Sequence, residues 1–164
     1  MNRFLVIVAL ILIPFILYAE TITGKVVSVS DGDTITVLVI NQTTNTPVKI
    51  RLSEIDCPEK KQAFGTQAKK ALSEKIFGKM VAVEYNNTDR YGRIIGKIIF
   101  DGRWINKEMI EEGFSWHYKQ YSSNKELAKA ELIAKEKKLG LWVDKNPVPP
   151  WEFRRKKPSE ISNK

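Results

Sequence analysis

Between Thr21 and Leu38 the chain is rich in Val, Ile and Thr at alternating positions, and the alternation is broken in one place, at Ser30-Asp31-Gly32-Asp33. A period of two places one face of a strand in a core and the other in water. Asp-Gly is a turn pair, so this stretch reads as two strands joined by a tight acidic turn. Asn41 to Pro47 reads as a polar loop, and Val48 to Leu52 as a third strand. That strand runs into Glu54-Ile55-Asp56-Cys57-Pro58-Glu59, where Pro58 lacks the N–H that pairing needs. Carboxylates therefore gather at the ends of strands.

The period then changes. Phe64, Ala68, Ala71, Leu72 and Ile76 recur at helical spacing, and Gly78 suits the position just past a helix. Met80 to Tyr85 and Ile94 to Phe100 read as a second pair of strands, joined through the polar link Asn86 to Arg93. Ile105 to Glu112 reads as a short helix closed by Gly113, and Asn124 as the N-cap of a longer helix running to Leu139 before Gly140. Three strands, a helix, two strands and further helices fit a β-barrel with α-helices, an α+β arrangement. The expected architecture is a five-stranded barrel capped by about three helices, the OB-fold used for oligonucleotide binding.

The ends differ from the middle. Arg3 leads into an apolar run, Phe4 to Tyr18, followed by Ala19 and polar residues, which is the layout of a signal peptide cut after Ala19. Left uncleaved, the run would act as an anchor, the one route by which membrane association is expected. Residues 20–145 form the expected domain. Residues 146–164, with four prolines and the cluster Arg154-Arg155-Lys156-Lys157, read as an extended basic tail in which Trp151 is solvated. The protein is thus expected to be exported, either secreted or held in the periplasm or cell envelope. Twenty-seven basic against nineteen acidic residues give a net charge of +8, which favours polyanionic partners. One cysteine and one histidine exclude an internal disulfide, a cysteine-based zinc site and a histidine-rich metal site.

The remaining question is what the acids and arginines do. Cleaving a phosphodiester requires a positioned water, positive charge around the phosphorus and a tolerated leaving oxygen. Asp33 and Asp56 are hard oxygen donors of the kind Ca2+ or Mg2+ prefers. Glu59 can orient or deprotonate a water, and Arg51 and Arg93 can each make a permanent, two-pronged contact to phosphate.

Asp31-Gly32-Asp33-Thr34, Arg51 through Glu59 and Asp89-Arg90-Tyr91-Gly92-Arg93 resemble, in order and separation, the three signature segments of the thermonuclease, or staphylococcal nuclease-like, family. The resemblance extends from about Thr21 to Trp142. It implies an OB-fold enzyme that hydrolyses DNA and RNA to products with 3′-phosphate ends. It also implies Ca2+ held by Asp33, Asp56 and the main-chain carbonyl of Cys57, with Arg51, Glu59 and Arg93 as catalytic residues. Arg90, Tyr91 and Tyr118 would line the nucleotide pocket. The rival reading is a non-catalytic nucleic-acid-binding OB module, for which one of these five charged positions should have been lost. His117, the Cys57 thiol and Trp104, Trp116 and Trp142 are read as structural, and no obligate protein partner is expected.

Overall fold

The computed structural model describes residues 20–40 and 45–155; the apolar N-terminal run, residues 41–44 of the polar loop and residues 156–164 of the basic tail lie outside them. The elements are β1 (Glu20–Asp31), β2 (Thr34–Ile40), β3 (Asn45–Leu52), β4 (Ile55–Asp56), α1 (Gly65–Ile76), β5 (Met80–Thr88), β6 (Ile94–Phe100) and β7 (Arg103–Trp104). After these come α2 (Ile105–Glu111), β8 (Trp116–His117), α3 (Lys125–Glu136), a 3-10 turn over Gly140–Val143 and α4 (Pro150–Phe153).

The sheet order is β3-β2-β1-β5-β6-β7. It closes on itself where β3 and β6 run parallel, Ile50 beside Ile94, Arg51 beside Ile95 and Leu52 beside Gly96. The result is the expected five-stranded barrel, with β7 a two-residue extension, capped by helices. Val26, Ile35, Val37, Ile50, Leu52, Val83 and Ile98 fill it, and Leu72 and Ile76 of α1, Met109 of α2 and Leu127 of α3 pack into the same core. Burial of these branched side chains, at about 25 cal/mol per Å² of apolar surface, is the main force holding helices to barrel.

Three local differences from the sequence reading have physical causes. β3 starts at Asn45 and contains Pro47, opposite Leu38; β6 joins β3 from Ile50 onward, so the missing donor of Pro47 faces no second strand. α3 begins as expected, with the Asn124 side chain accepting from the N–H groups of Glu126 and Leu127, but it stops at Glu136. Lys138 then takes a left-handed φ of 51°. Gly113 and Gly140 explain why the chain turns there: a Cβ on Gly113 would stand 2.2 Å from the Leu139 carbonyl oxygen, and one on Gly140 would stand 2.2 Å from that of Gly113. The two glycines let the exits of α2 and α3 touch backbone to backbone, joined by Leu141 N–H donating to Gly113 O.

The C-terminal reading needs correction. Residues 146–155 are not an extended tail. Pro150 opens α4 at a position where its missing N–H costs no helical bond, and Gln62 Nε2 donates to Val148 O at 2.5 Å. Trp151 is not solvated; its ring stacks on Tyr118 at 5.5 Å and meets Trp116 edge-on at 5.6 Å. Among the described residues no helix is long and apolar enough to cross a membrane.

Candidate active site

The turn after β1 and the end of β3 lie side by side because β2 pairs Thr34 with Arg51 and Leu52 N–H donates to Asp33 O at 2.8 Å. β4 continues from there and is held by β8, Ile55 opposite His117 and Asp56 opposite Trp116. Those two-residue strands fix the backbone that carries Asp56 and Cys57.

Arg51 is the hub. Its Nη1 donates to the carbonyls of Leu52 at 2.8 Å and Ile55 at 3.0 Å. Its Nη2 lies 2.9 Å from Asp56 Oδ1 and 3.0 Å from Asp33 Oδ2. Both acids are buried. Asp33 Oδ2 also accepts the Cys57 N–H at 2.9 Å, and Oδ1 accepts from the Thr34 hydroxyl at 3.1 Å. Burial above all, opposed by Arg51 and the Cys57 N–H and reinforced by the charges of Asp31 and Asp56, brings the Asp33 carboxyl up to about 7. The cluster is short of positive charge.

The Cys57 thiol lies 3.1 Å from Gly32 O, and burial, with the charge of Asp33, holds its pKa well above the usual value. The thiol is therefore held in its neutral form. Glu59 is half-exposed and its backbone is pinned on both sides: its N–H donates to Gln62 Oε1 at 3.1 Å and its carbonyl accepts the Gln62 N–H at 2.8 Å. Gly65 opens α1 against that carbonyl; a Cβ there would stand 1.9 Å from Glu59 O.

Arg93 belongs to a second group. It precedes β6, whose Ile94 and Ile95 lie beside Ile50 and Arg51, so the parallel closure brings Arg93 to the same end of the barrel as Arg51. Its Nε donates to Asp89 Oδ2 at 2.7 Å, and Tyr91 N–H and Arg93 N–H bond Asp89 Oδ1. Burial would raise the Asp89 carboxyl, but these bonds, the Arg93 side chain first, hold it below its ordinary value. Arg90 and Arg93 sit over the exposed Tyr91 ring at 4.9 and 5.7 Å. Among the described residues, no hydrogen bond or ion pair joins Arg93, Arg90 or Tyr91 to the Asp33–Arg51–Asp56 cluster.

Tyr118 follows β8, its N–H donating to Glu54 O. Beside its stack with Trp151 is a recess of about 300 Å3 lined by Trp116, Lys119, Lys135 and Trp151 among others. A larger recess, about 490 Å3, lies between α1 and α2; Lys75 and Glu112 are already paired there, and it holds none of the residues argued for chemistry.

One residue that sequence reasoning missed enters the cluster. Arg154 donates from Nη1 to Glu59 Oε1 at 2.7 Å and to Asp56 Oδ1 at 3.2 Å, and from Nη2 to Asp56 Oδ2 at 2.9 Å. The available signal was a tryptophan after a Pro-Pro pair, since a large aromatic seldom stays in solvent and proline favours a helix start.

Among the described residues no three His, Cys, Asp or Glu side chains stand together as a metal cluster. A hard cation would rest on two carboxylates, a main-chain carbonyl and water, a donor set that Ca2+ accepts. The carboxylates suit it, because both already converge on a single guanidinium nitrogen.

Below this end, Glu131 of α3 ties β8 down. It is buried, its Oε2 lies 3.0 Å from Lys119 Nζ and 3.1 Å from Lys135 Nζ, and its Oε1 accepts the His117 N–H at 3.2 Å. Burial would raise its carboxyl, but the two lysines outweigh that and lower it. The contribution is therefore present above the unfolded value near 4.5 and is lost as pH falls through the lower folded one. Glu131→Ala should cost about 3 kcal/mol at neutral pH, with the difference from wild type shrinking in acid; urea unfolding at several pH values checks both. An equal difference at every pH would contradict the assignment. His117 is buried, with Nε2 2.9 Å from Ser122 Oγ, and burial lowers its pKa, in keeping with a structural role.

Comparison with known proteins gives the same picture. The family model for staphylococcal nuclease homologues matches residues 49–144. An "uncharacterized endonuclease" of Haemophilus influenzae is 41% identical over 157 residues, 94% of this chain and 86% of that protein. Another protein so named, from Escherichia coli, is 42% identical over 137 residues, 83% of this chain and 87% of its own. A "micrococcal nuclease" of Shigella flexneri is 38% identical over 143 residues, 80% of each chain.

Proposed function

Because the chain belongs to the staphylococcal nuclease family and is thus a phosphodiester-hydrolysing nuclease, we propose that it cleaves DNA and RNA endonucleolytically with Ca2+, leaving 3′-phosphate ends. The observation that carries the calcium reading is the convergence of two buried carboxylates, Asp33 and Asp56, on one nitrogen of Arg51.

Asp33, Asp56 and the Cys57 carbonyl would hold the ion, which when bound supplies positive charge to the oxygens of the phosphoryl group. Arg51 holds both carboxylates in place from its anchor on the Leu52 and Ile55 carbonyls, and adds its own charge at the phosphate. Glu59 takes the proton from the attacking water; its pinned backbone and half-exposed carboxyl let it reach solvent without drifting. Arg93 exchanges Asp89 for the substrate, binding phosphoryl oxygens and stabilising the departing 5′ oxygen. Tyr118, Tyr91 and Arg90 supply aromatic and cationic contacts to bases and backbone, contacts that tolerate any sequence. Residues 1–19 would direct export, to the medium or the cell envelope.

The test is cleavage of single-stranded DNA and of RNA by the full chain, with Ca2+ and with excess chelator, and mass analysis of the termini. Cutting in calcium alone, with phosphate on the 3′ ends, is the expected result. Undiminished cutting in chelator would remove the metal from the reading, and 5′-phosphate ends would remove the assigned direction of attack.

A further inference from the structure

We propose that Arg154 sets the calcium threshold of the site: it occupies, on Asp56 and Glu59, the place a divalent cation needs, and residues 146–155 form a strap that calcium displaces. This rests on the reading of Asp33 and Asp56 as calcium ligands.

The geometry sets the two cations in competition for one carboxylate. Both oxygens of Asp56 accept from Arg154, and Oδ1 accepts from Arg51 as well. Three of its four acceptor sites are thus taken, and a metal ion bonded through both oxygens has to displace a guanidinium. Arg154 also occupies Glu59 Oε1, the atom that would otherwise face water. Arg154 brings one positive charge to Asp56 and Glu59, and Arg51 brings one to Asp33 and Asp56; a divalent ion in place of Arg154 brings two. Electrostatics therefore favour exchange once calcium is plentiful.

The strap is built to be reversible. Its helix, α4, is a single turn, the Arg154 side chain is 42% exposed, and its other fixings are the Gln62–Val148 bond and the packing of Trp151. Short, exposed elements of this kind open at small cost in free energy. Trp151 lies flat on Tyr118, the planes 6° apart, covering the ring face a base would use. Lifting the strap frees the metal ligands and the stacking face in one motion, so calcium and nucleotide each ease binding of the other. A strap closed about nine-tenths of the time raises the apparent Kd for calcium about tenfold.

Calorimetric titration of the full chain with calcium chloride alone, without nucleic acid, tests this. Arg154→Gln should bind calcium about tenfold more tightly than wild type, Arg155→Gln should match wild type, and Asp33→Asn should lose binding. In parallel, hydrogen exchange across residues 146–155 of the wild type should quicken on saturation with calcium. If Asp33→Asn loses binding while Arg154→Gln binds no tighter, or the exchange of residues 146–155 does not change, the strap is wrong and the calcium site stands. If none of the proteins binds calcium, or Asp33→Asn binds it normally, the site reading fails and the strap falls with it. The exchange measurement on wild type stays decisive even if a variant folds poorly.

Discussion

Arg93→Ala is expected to lower kcat by about a thousandfold while leaving the unfolding transition close to that of the wild type. The size follows from what the side chain does: a preorganised donor aimed at charge that develops in the transition state contributes about 3–4 kcal/mol, and arginines at phosphoryl groups reach higher. The small effect on stability follows from its surroundings. Arg93 is partly exposed, and its side chain contacts Asp89 and Tyr91, whereas the loop is held by Asp89 through the backbone N–H groups of Tyr91 and Arg93; those bonds survive the substitution. Arg93→Lys should recover little, because an ammonium cannot span two phosphoryl oxygens. Steady-state kinetics beside thermal unfolding decide the matter, and a variant that keeps kcat within about threefold would take Arg93 out of the chemistry.

Arg51→Ala should behave differently, losing activity and stability together. The guanidinium sits between two buried carboxylates and two main-chain carbonyls, so its removal leaves uncompensated charge in the interior, a loss of about 3–5 kcal/mol. Activity should fall by about a thousandfold or more, since the same step loosens both expected metal ligands and removes a phosphate contact. Arg51→Lys separates the two effects: it restores a charge and part of the stability but cannot reach four acceptors at once, so activity should remain low. Denaturant unfolding at neutral pH together with kcat/KM reads this out. An Arg51→Ala protein as stable as the wild type would show that the acids do not depend on that residue.

How far the sequence reaches can be judged residue by residue. The hairpin of β1 and β2 is legible because alternation and Asp31-Gly32 are local signals, and so is the Asn124 cap, which acts over three residues. The two-residue strands β4 and β8 are not, since so short a pairing leaves no period to read. Closure of the barrel by β3 and β6 depends on Ile50 meeting Ile94, a contact that no local pattern encodes. At the site, Asp33, Arg51 and Asp56 were recognisable from their motifs, and the structure joins them directly. Arg93 was assigned with them but stands apart on Asp89. Arg154 was hidden because its meaning lies in a contact with residues almost a hundred positions away, and a run of basic residues near a C-terminus looks the same whether it is docked or not.

The parallel seam between β3 and β6 also makes assembly of the site a non-local event. Arg51 lies in one of the two seam strands and Arg93 immediately before the other, with α1 and β5 intervening in sequence. Every non-local pairing of this kind must first overcome the entropy of the loop it closes. The hairpins can pair without it, and a chain lacking it carries both arginines without the seam that brings them to one end of the barrel. Opening of that seam alone would part the two strand ends on which the arginines sit, while each hairpin kept its own pairing.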